Sequence, residues 1–301
     1  MTEFSCVQSD AIQFLSAQVD DSIDLLFTSP PYEDCRTYGI DFRVKGEDWV
    51  KWMVDLVTVA SPKVKGLIAI NCEGKTSDFR YSCVPFLLAA DLHRAGFNLR
   101  KPVVFNRVGI PGSGGDEWLR NDWEPIICIT RPGRLPWADN TACGHKPKYG
   151  PGGEMSHRMR NGSRVNGKMI YKVTSTDGYK NGDTLTKKGD YSPPDTANPG
   201  NVVRLDAGGG RMGHKSAHRN EAPFPLKLAE FFVKSFCPPS GLVCDPFSGS
   251  GTVAQACKEN GRRFTGCDIR QSQVDLTLAR LRSVTPGMFN SENLLAQNGK
   301  S

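Results

Sequence analysis

The residues best suited to chemistry are Ser29, Pro30, Pro31 and Tyr32, which end a short apolar run from Ile23 to Phe27. Such a run suits a strand buried on both faces. The prolines stop it, because neither donates an N–H and each holds φ at about −65°. The carbonyls of Ser29 and Pro30 are thereby left as rigid acceptors at the strand's end. With the Ser29 hydroxyl and the face of Tyr32 they make a site for a planar group bearing an NH2, and a nucleobase with an exocyclic amine fits. A proline turn that merely closes a strand has the same local pattern. A second motif shifts the balance between the two.

That motif runs from Gly241 through Asp245, Pro246, Phe247, Ser248, Gly249, Ser250 and Gly251 to Thr252. An apolar strand enters a loop of small residues, and residues 252–260 then read as a helix with Gly261 past its end. Glycines in such a loop let a ligand approach the backbone and leave helix N-terminal N–H groups free. The strand from Arg263 ends in Asp268, at the spacing of about 20 residues expected of a carboxylate that binds ribose hydroxyls.

Taken together, these stretches resemble the S-adenosylmethionine-dependent DNA amino-methyltransferases of the β class, in which the catalytic motif precedes the cofactor loop. Ser29-Pro30-Pro31-Tyr32 is similar to the family's S-P-P-Y, and Asp245 to Thr252 to its D-P-F-x-G-S-G-T. Asp10 stands where the family places an acid near the cofactor's adenine. Ala222 to Leu226, with His218 upstream, resembles the segment before the cofactor loop, although His218 is too far from Phe224-Pro225 to be given a role.

The resemblance implies a doubly wound, mostly parallel, seven-stranded α/β sheet of Rossmann-like type, with the strands ending at Ser29 and Asp245 side by side. It implies S-adenosylmethionine as cofactor, no metal, and double-stranded DNA as partner. Ser29, Pro30, Pro31 and Tyr32 would be catalytic. Asp10, Asp245, Pro246, Phe247, Ser248, Gly249, Ser250, Gly251, Thr252 and Asp268 would hold the cofactor. A serine at the head of the motif resembles the N4-cytosine enzymes, whereas Asp or Asn is commoner in N6-adenine enzymes, which stay as the alternative. Cytosine C5 chemistry needs a nucleophilic thiolate, usually in a Pro-Cys pair, and the chain has no such dipeptide.

The elements that must position these groups alternate. A strand at Phe4–Cys6, a helix over residues 10–17 capped by Ser9, and the catalytic strand are followed by an amphipathic helix over residues 47–60. Trp49 and Trp52 on it read as packing residues rather than base-stacking ones. Strands follow at residues 66–70, 99–105 and 125–130, with a helix at 81–95 after the first. Further helices are expected at 225–236 and 271–283. The alternation predicts a parallel doubly wound sheet, which binds ligands beyond the carboxyl ends of its strands. The glycine-bearing loop 106–121 is either a flank of that cleft or a surface turn.

The net charge of +6 is concentrated. Residues 131–220 hold 16 Lys or Arg against 7 Asp or Glu, leaving the rest of the chain at −3. That stretch is glycine-rich and thin in apolar residues, so it reads as a flexible basic insertion or as a polyanion-binding region that recognises the target. The expected organisation is a catalytic half (1–130), a target-recognition insertion (131–217), a cofactor half (218–285) and a tail (286–301). Ten cysteines without a C-x-x-C pair, several inside apolar patterns, suggest buried thiols in a reducing compartment. With no membrane-length apolar run and no leader pattern, a cytoplasmic location is expected. Cys143 and His145 lack the second ligand pair of a zinc site. One other class fits a motif: residues 69–76 satisfy a relaxed phosphate-loop pattern, which would suggest an ATPase, although Glu73 would set a negative charge beside the phosphates.

Overall fold

The computed structural model describes residues 4–33, 42–108, 117–147, 155–158, 161–167, 170–174, 186–190, 195–206 and 224–285. His218, Ala222, Pro223, the tail 286–301 and the middle of the 106–121 loop lie outside them. The elements in chain order are β1 (Phe4–Gln8), α1 (Ala11–Ser16), β2 (Ile23–Thr28), α2 (Gly46–Ala60), β3 (Val64–Asn71), β4 (Thr76–Ser77), β5 (Arg80–Tyr81), α3 (Val84–Arg94), β6 (Asn98–Leu99), β7 (Val103–Val108) and β8 (Trp123–Thr130). Then come β9 (Met155–Arg158), β10 (Arg164–Gly167), β11 (Ile170–Thr174), β12 (Thr186–Asp190), β13 (Val202–Asp206), α4 (Leu226–Phe236), β14 (Leu242–Asp245), α5 (Thr252–Glu259), β15 (Arg263–Asp268) and α6 (Gln271–Ser283).

The main sheet has the order β1-β15-β14-β2-β3-β8-β7-β13. All pairings on that path are parallel except those of β8, which runs antiparallel to β3 and β7. The first seven strands of this order form the expected seven-stranded sheet. The short β6 pairs with β8, and β13 adds an edge, giving nine strands. The order reverses between β14 and β2, which places the end of β2 and the end of β14 together at the sheet's switch point, where ligands bind.

Helices cover both faces, as a sheet of continuous apolar strands requires. Leu25 and Phe27 of β2 face one core with Leu228, Phe232, Val253 and Val274 of α4, α5 and α6. Leu26 of the same strand faces the other with Phe14, Trp49, Met53 and Leu88 of α1, α2 and α3. The α2 face follows the helical period, with Trp49, Val50, Met53, Leu56, Val57 and Ala60 all buried. Phe27, behind the proline turn, stacks on Phe232 at 4.4 Å and meets Phe224 edge-on at 5.5 Å. Burying each such ring contributes roughly 1.5–3 kcal/mol.

Three local expectations are corrected. The cap of α1 is Asp10, not Ser9: Asp10 Oδ1 accepts from the N–H groups of Ile12 and Gln13 at 2.9 and 3.1 Å. The strand read across 99–105 is two strands, β6 and β7, broken at Arg100-Lys101-Pro102, where proline removes a ladder donor. The helix expected from residue 81 begins at Val84, because Tyr81 pairs within the β4–β5 hairpin and Cys83 sits at a φ of 61°.

The chain divides into two compact units, residues 1–142 with 200–301, and residues 143–199. The stretch 131–142 and strand β13 therefore belong with the first unit despite their basic surroundings in sequence. Within the second unit, β9 pairs with β10, β11 pairs with β12, and His145 bridges Ala197. No helix among the described residues is long and apolar enough to cross a membrane.

Candidate active site

A cavity of about 320 Å³ opens at the switch point. Its walls include all four residues of the proline turn, Ser29, Pro30, Pro31 and Tyr32, together with Asp10, Pro246, Phe247, Gly249 and Asp268. Residues separated by most of the chain are joined there by one hydrogen bond: Thr28 Oγ1, at the end of β2, donates to Asp245 Oδ1, at the end of β14, at 2.6 Å. The same oxygen accepts from Phe247 N at 3.1 Å, so the carboxyl fixes both the end of β2 and the first turn of the small-residue loop.

Asp245, Ser248, Ser250, Gly251 and Thr252 do not line the cavity. They are buried behind it and shape the loop. Ser248 Oγ donates back to the Asp245 carbonyl at 2.9 Å. Gly251 takes a φ of 79°, and a β-carbon there would sit 2.9 Å from Thr277 Cα, so only glycine fits between the loop and α6. Arg280, fully buried, donates to the Ser250 carbonyl and to Thr252 Oγ1, both at 3.1 Å, and to Gln255. Gly251→Ala is expected to destabilise the fold by about 1–2 kcal/mol from backbone strain alone, with a further loss as α6 is displaced. Thermal unfolding should show a melting point lower by several degrees, and cofactor titration an affinity weaker by about tenfold or more.

Asp268 ends β15 with both oxygens partly engaged. Oδ2 accepts from Gly249 N at 3.0 Å and Oδ1 from Arg270 N at 2.9 Å. Asp10 follows β1, whose Gln8 pairs with Asp268, and uses Oδ1 to cap α1. Two carboxylates, the Phe247 ring, the apolar Ile269 and a glycine at the wall are a donor set suited to a nucleoside: acceptors for hydroxyl or amine protons, and apolar surface for a base. Trp52, read from sequence as packing, is also a wall residue, 5.6 Å from Phe247 and 5.2 Å from Phe42.

Four residues to which the sequence assigned no part in the site hold the proline turn. Trp49 Nε1 donates to the Pro31 carbonyl at 2.9 Å. Tyr32 Oη donates to Glu124 Oε2 at 2.8 Å and accepts from Asn71 Nδ2 at 3.0 Å. Asn71 also donates to Glu124 Oε2 at 2.7 Å, and Arg107 pairs with Glu124 Oε1 at 3.1 Å. Ser29 Oγ lies 3.4 Å from Tyr32 Oη and donates to it. Burial and the adjacent Glu124 push the Tyr32 phenol well above its ordinary pKa, so it stays a neutral O–H donor. The legible signal was a carboxylate, Glu124, at the head of the otherwise apolar strand β8, where a buried charge requires partners.

Glu124→Gln leaves Arg107 without its ion partner and weakens the anchor of Tyr32. The expected result is a turnover lower by about tenfold to a hundredfold, the cost of a charge-assisted hydrogen bond, with cofactor affinity unchanged. Steady-state kinetics beside a cofactor titration would check both halves.

The phosphate-loop reading of residues 69–76 is overturned. Thr76 and Ser77 enter a hairpin rather than a helix, and the N–H groups a phosphate would need are taken, Gly74 N by Glu73 and Lys75 N by Glu33. Among the described residues, no group of three or more His, Cys, Asp or Glu is placed to hold a metal.

The architecture and the paired motifs are those of a DNA amino-methyltransferase. The family model described as DNA methylase matches residues 23–279, and the chain belongs to this N6/N4 family. It is 34% identical over 311 residues to the type II methyltransferase M.Cfr9I of Citrobacter freundii, covering 91% of this chain and 86% of that one. It is 25% identical over 266 residues to the orphan methyltransferase M.BamHII of Bacillus amyloliquefaciens, covering 88% and 90%. The match to M.ScaI of Streptomyces caespitosus is confined to 75 residues, 24% of that protein. Among solved structures, the PvuII cytosine-N4-specific DNA methyltransferase superposes with a TM-score of 0.62 at 16% identity, over 98% of this chain and 90% of that one. A putative DNA modification methylase from Thermus thermophilus, complexed with S-adenosyl-L-methionine, does so with a TM-score of 0.57 at 20% identity, over 95% and 96%. The chain is therefore a DNA methyltransferase of the N6/N4 family.

Proposed function

We propose that the chain methylates the N4 amine of a cytosine that has left the stack of a specific duplex DNA site. The observation that carries this reading is Ser29: a hydroxyl at the head of a rigid turn, on the wall of the same cavity as Asp10 and Asp268. Because its proton is directed to Tyr32, its lone pairs are free to accept from the amine, beside the Pro30 carbonyl. Two acceptors placed there draw the nitrogen out of conjugation with the ring and leave its own lone pair available. The Tyr32 ring is the stacking surface for the base, held by Glu124 and Asn71. The nitrogen becomes acidic only once methylated, so no base is needed beforehand. Catalysis is then mainly positioning and preorganised hydrogen bonding.

Bound S-adenosylmethionine supplies an electrophilic methyl group on a sulfonium. Asp268 would hold ribose hydroxyls, and the Asp10 oxygen not used in the cap would accept from the adenine amine. The loop from Asp245 to Thr252 shapes the floor beneath them. Residues 143–199, with 10 Lys or Arg against 5 Asp or Glu, suit a target-recognition unit that neutralises phosphates. On this reading residues 1–130 form the catalytic half and 218–285 the cofactor half.

The test is transfer of tritiated methyl groups to mixed genomic DNA, followed by nucleoside mass spectrometry. N4-methylcytosine is expected. N6-methyladenine would keep the mechanism and overturn the choice of base, and an absence of any methylated nucleoside would sink the reading.

A further inference from the structure

The β4–β5 hairpin has a tip that contradicts its sequence. Thr76 pairs with Tyr81 and Ser77 with Arg80, leaving Asp78 and Phe79 as a two-residue turn with φ of 50° and 62°. Such turns favour Asn-Gly or Gly-Gly, because both positions lie in the left-handed region, which a bulky side chain rarely adopts. Here the second position is Phe79, a residue 91% exposed. An apolar ring that is neither buried nor on a backbone that suits it has no role in holding the fold together.

The hairpin's base is fastened to the segment that follows Tyr32. Glu33, buried, accepts from Lys75 N at 2.9 Å through one oxygen and from Gly46 N at 2.8 Å through the other. Ser82 N donates to the Lys75 carbonyl at 2.9 Å, and Tyr81 Oη to Glu73 at 2.7 Å. The hairpin follows β3, whose carboxyl end lies beside that of β2, so it stands at the same end of the sheet as Ser29. Arg80, the next residue in the chain, is also exposed.

From this placement we propose that the hairpin is a DNA wedge. Phe79 enters the base step from which the target nucleotide departs, and Arg80 meets the neighbouring phosphate. The inference rests on the reading of a flipped-out base given above. Extrusion leaves an unstacked gap, and an apolar side chain that fills it offsets part of the cost. A rigid anchor next to the catalytic turn sets the wedge at a fixed distance from the pocket that takes the base.

Once the recognition site has been mapped by sequencing DNA methylated by the wild-type protein, Phe79→Ala and Phe79→Gly can be compared on two duplexes. One is intact; the other carries the target base opposite an abasic position, where little pairing remains to be broken. On the intact duplex, kcat/KM is expected to fall by about tenfold or more in both variants. On the unpaired target it should return to within about threefold of wild type, and Phe79→Trp should keep most activity on both. Phe79→Gly, relieved of a left-handed side chain, should also melt higher than wild type, which separates the wedge from a structural role. Wild-type kcat/KM for the alanine and glycine variants on intact duplex would overturn the proposal, as would an equal loss on both duplexes. A wild-type protein active on single strands and inactive on duplex would instead overturn the flipped-base reading.

Discussion

Ser29→Ala should reduce methyl transfer by about two to three orders of magnitude while leaving cofactor affinity within about twofold. The magnitude follows from what the hydroxyl does. In the proposed mechanism it is one of two acceptors for the amine, and a preorganised hydrogen-bonding group aimed at a developing charge is typically worth that much. The selectivity follows from geometry. Pro30 and Pro31 fix the turn without Ser29, the Pro31 carbonyl stays bonded to Trp49, and the anchors of the Tyr32 ring are Glu124 and Asn71. The cavity therefore keeps its shape when the hydroxyl is removed. Single-turnover transfer on the mapped site, beside a cofactor titration, separates the two effects. Near wild-type transfer would mean that the Pro30 carbonyl alone positions the amine. A parallel loss of cofactor binding would mean that Ser29 is part of the cofactor's wall. Tyr32→Phe is the informative partner: it keeps the ring and removes the group to which Ser29 donates, so a slower turnover with the same cofactor affinity would show that the direction of the serine's proton matters.

The sequence made the two motifs legible because each carries its own punctuation. Two prolines close one strand, and glycines separated by small residues open a helix after another. What brings them together was not visible locally. The bond from Thr28 to Asp245 spans 217 residues, and its inference needed the order of strands rather than any residue pattern. The cap of α1 falls one position after the sequence expectation because two capping residues adjoin, Ser9 and Asp10; either satisfies the same rule and the backbone chooses. The network behind Tyr32 was missed for a different reason. Asn71, Arg107 and Glu124 are ordinary polar residues at strand ends until β3, β7 and β8 are laid side by side. Read alone, Arg107 belongs to a glycine-bearing loop, and Glu124 stands just before an apolar strand expected from residue 125. The loop residues Ser248, Ser250 and Thr252 show the opposite case: their pattern resembles a ligand loop, while the Ser248 hydroxyl bonds within the loop and the Ser250 carbonyl and Thr252 hydroxyl bond to Arg280 of α6.

Asp245 gives the protein a dependence on pH that its surface charges do not. It is 2% exposed, and burial pushes its carboxyl from 3.8 up to about 7, against the opposing hydrogen bonds from Thr28 and Phe247, with Asp268 adding to the rise. Between those two values the folded chain holds a proton that the unfolded chain has released. Stability therefore falls as pH rises from about 4 to about 7, by an amount on the order of 4 kcal/mol from this group alone. The contribution is fully present below the unfolded pKa and fully lost above the folded one. Asparagine at this position can still accept from Thr28 and from Phe247 N through its amide oxygen, and it does not titrate. The difference in unfolding free energy between wild type and Asp245→Asn, measured by chemical denaturation at a series of pH values, is thus expected to move by several kcal/mol in favour of the variant between about pH 4 and pH 8. The comparison cancels every other titrating group that the substitution leaves alone. A difference that stays flat across the window would show that the carboxyl is already ionised in the folded protein at low pH. Its bonds to the two motifs would then outweigh its burial, and the junction between catalytic strand and cofactor loop would be held by a charge rather than by a neutral acid.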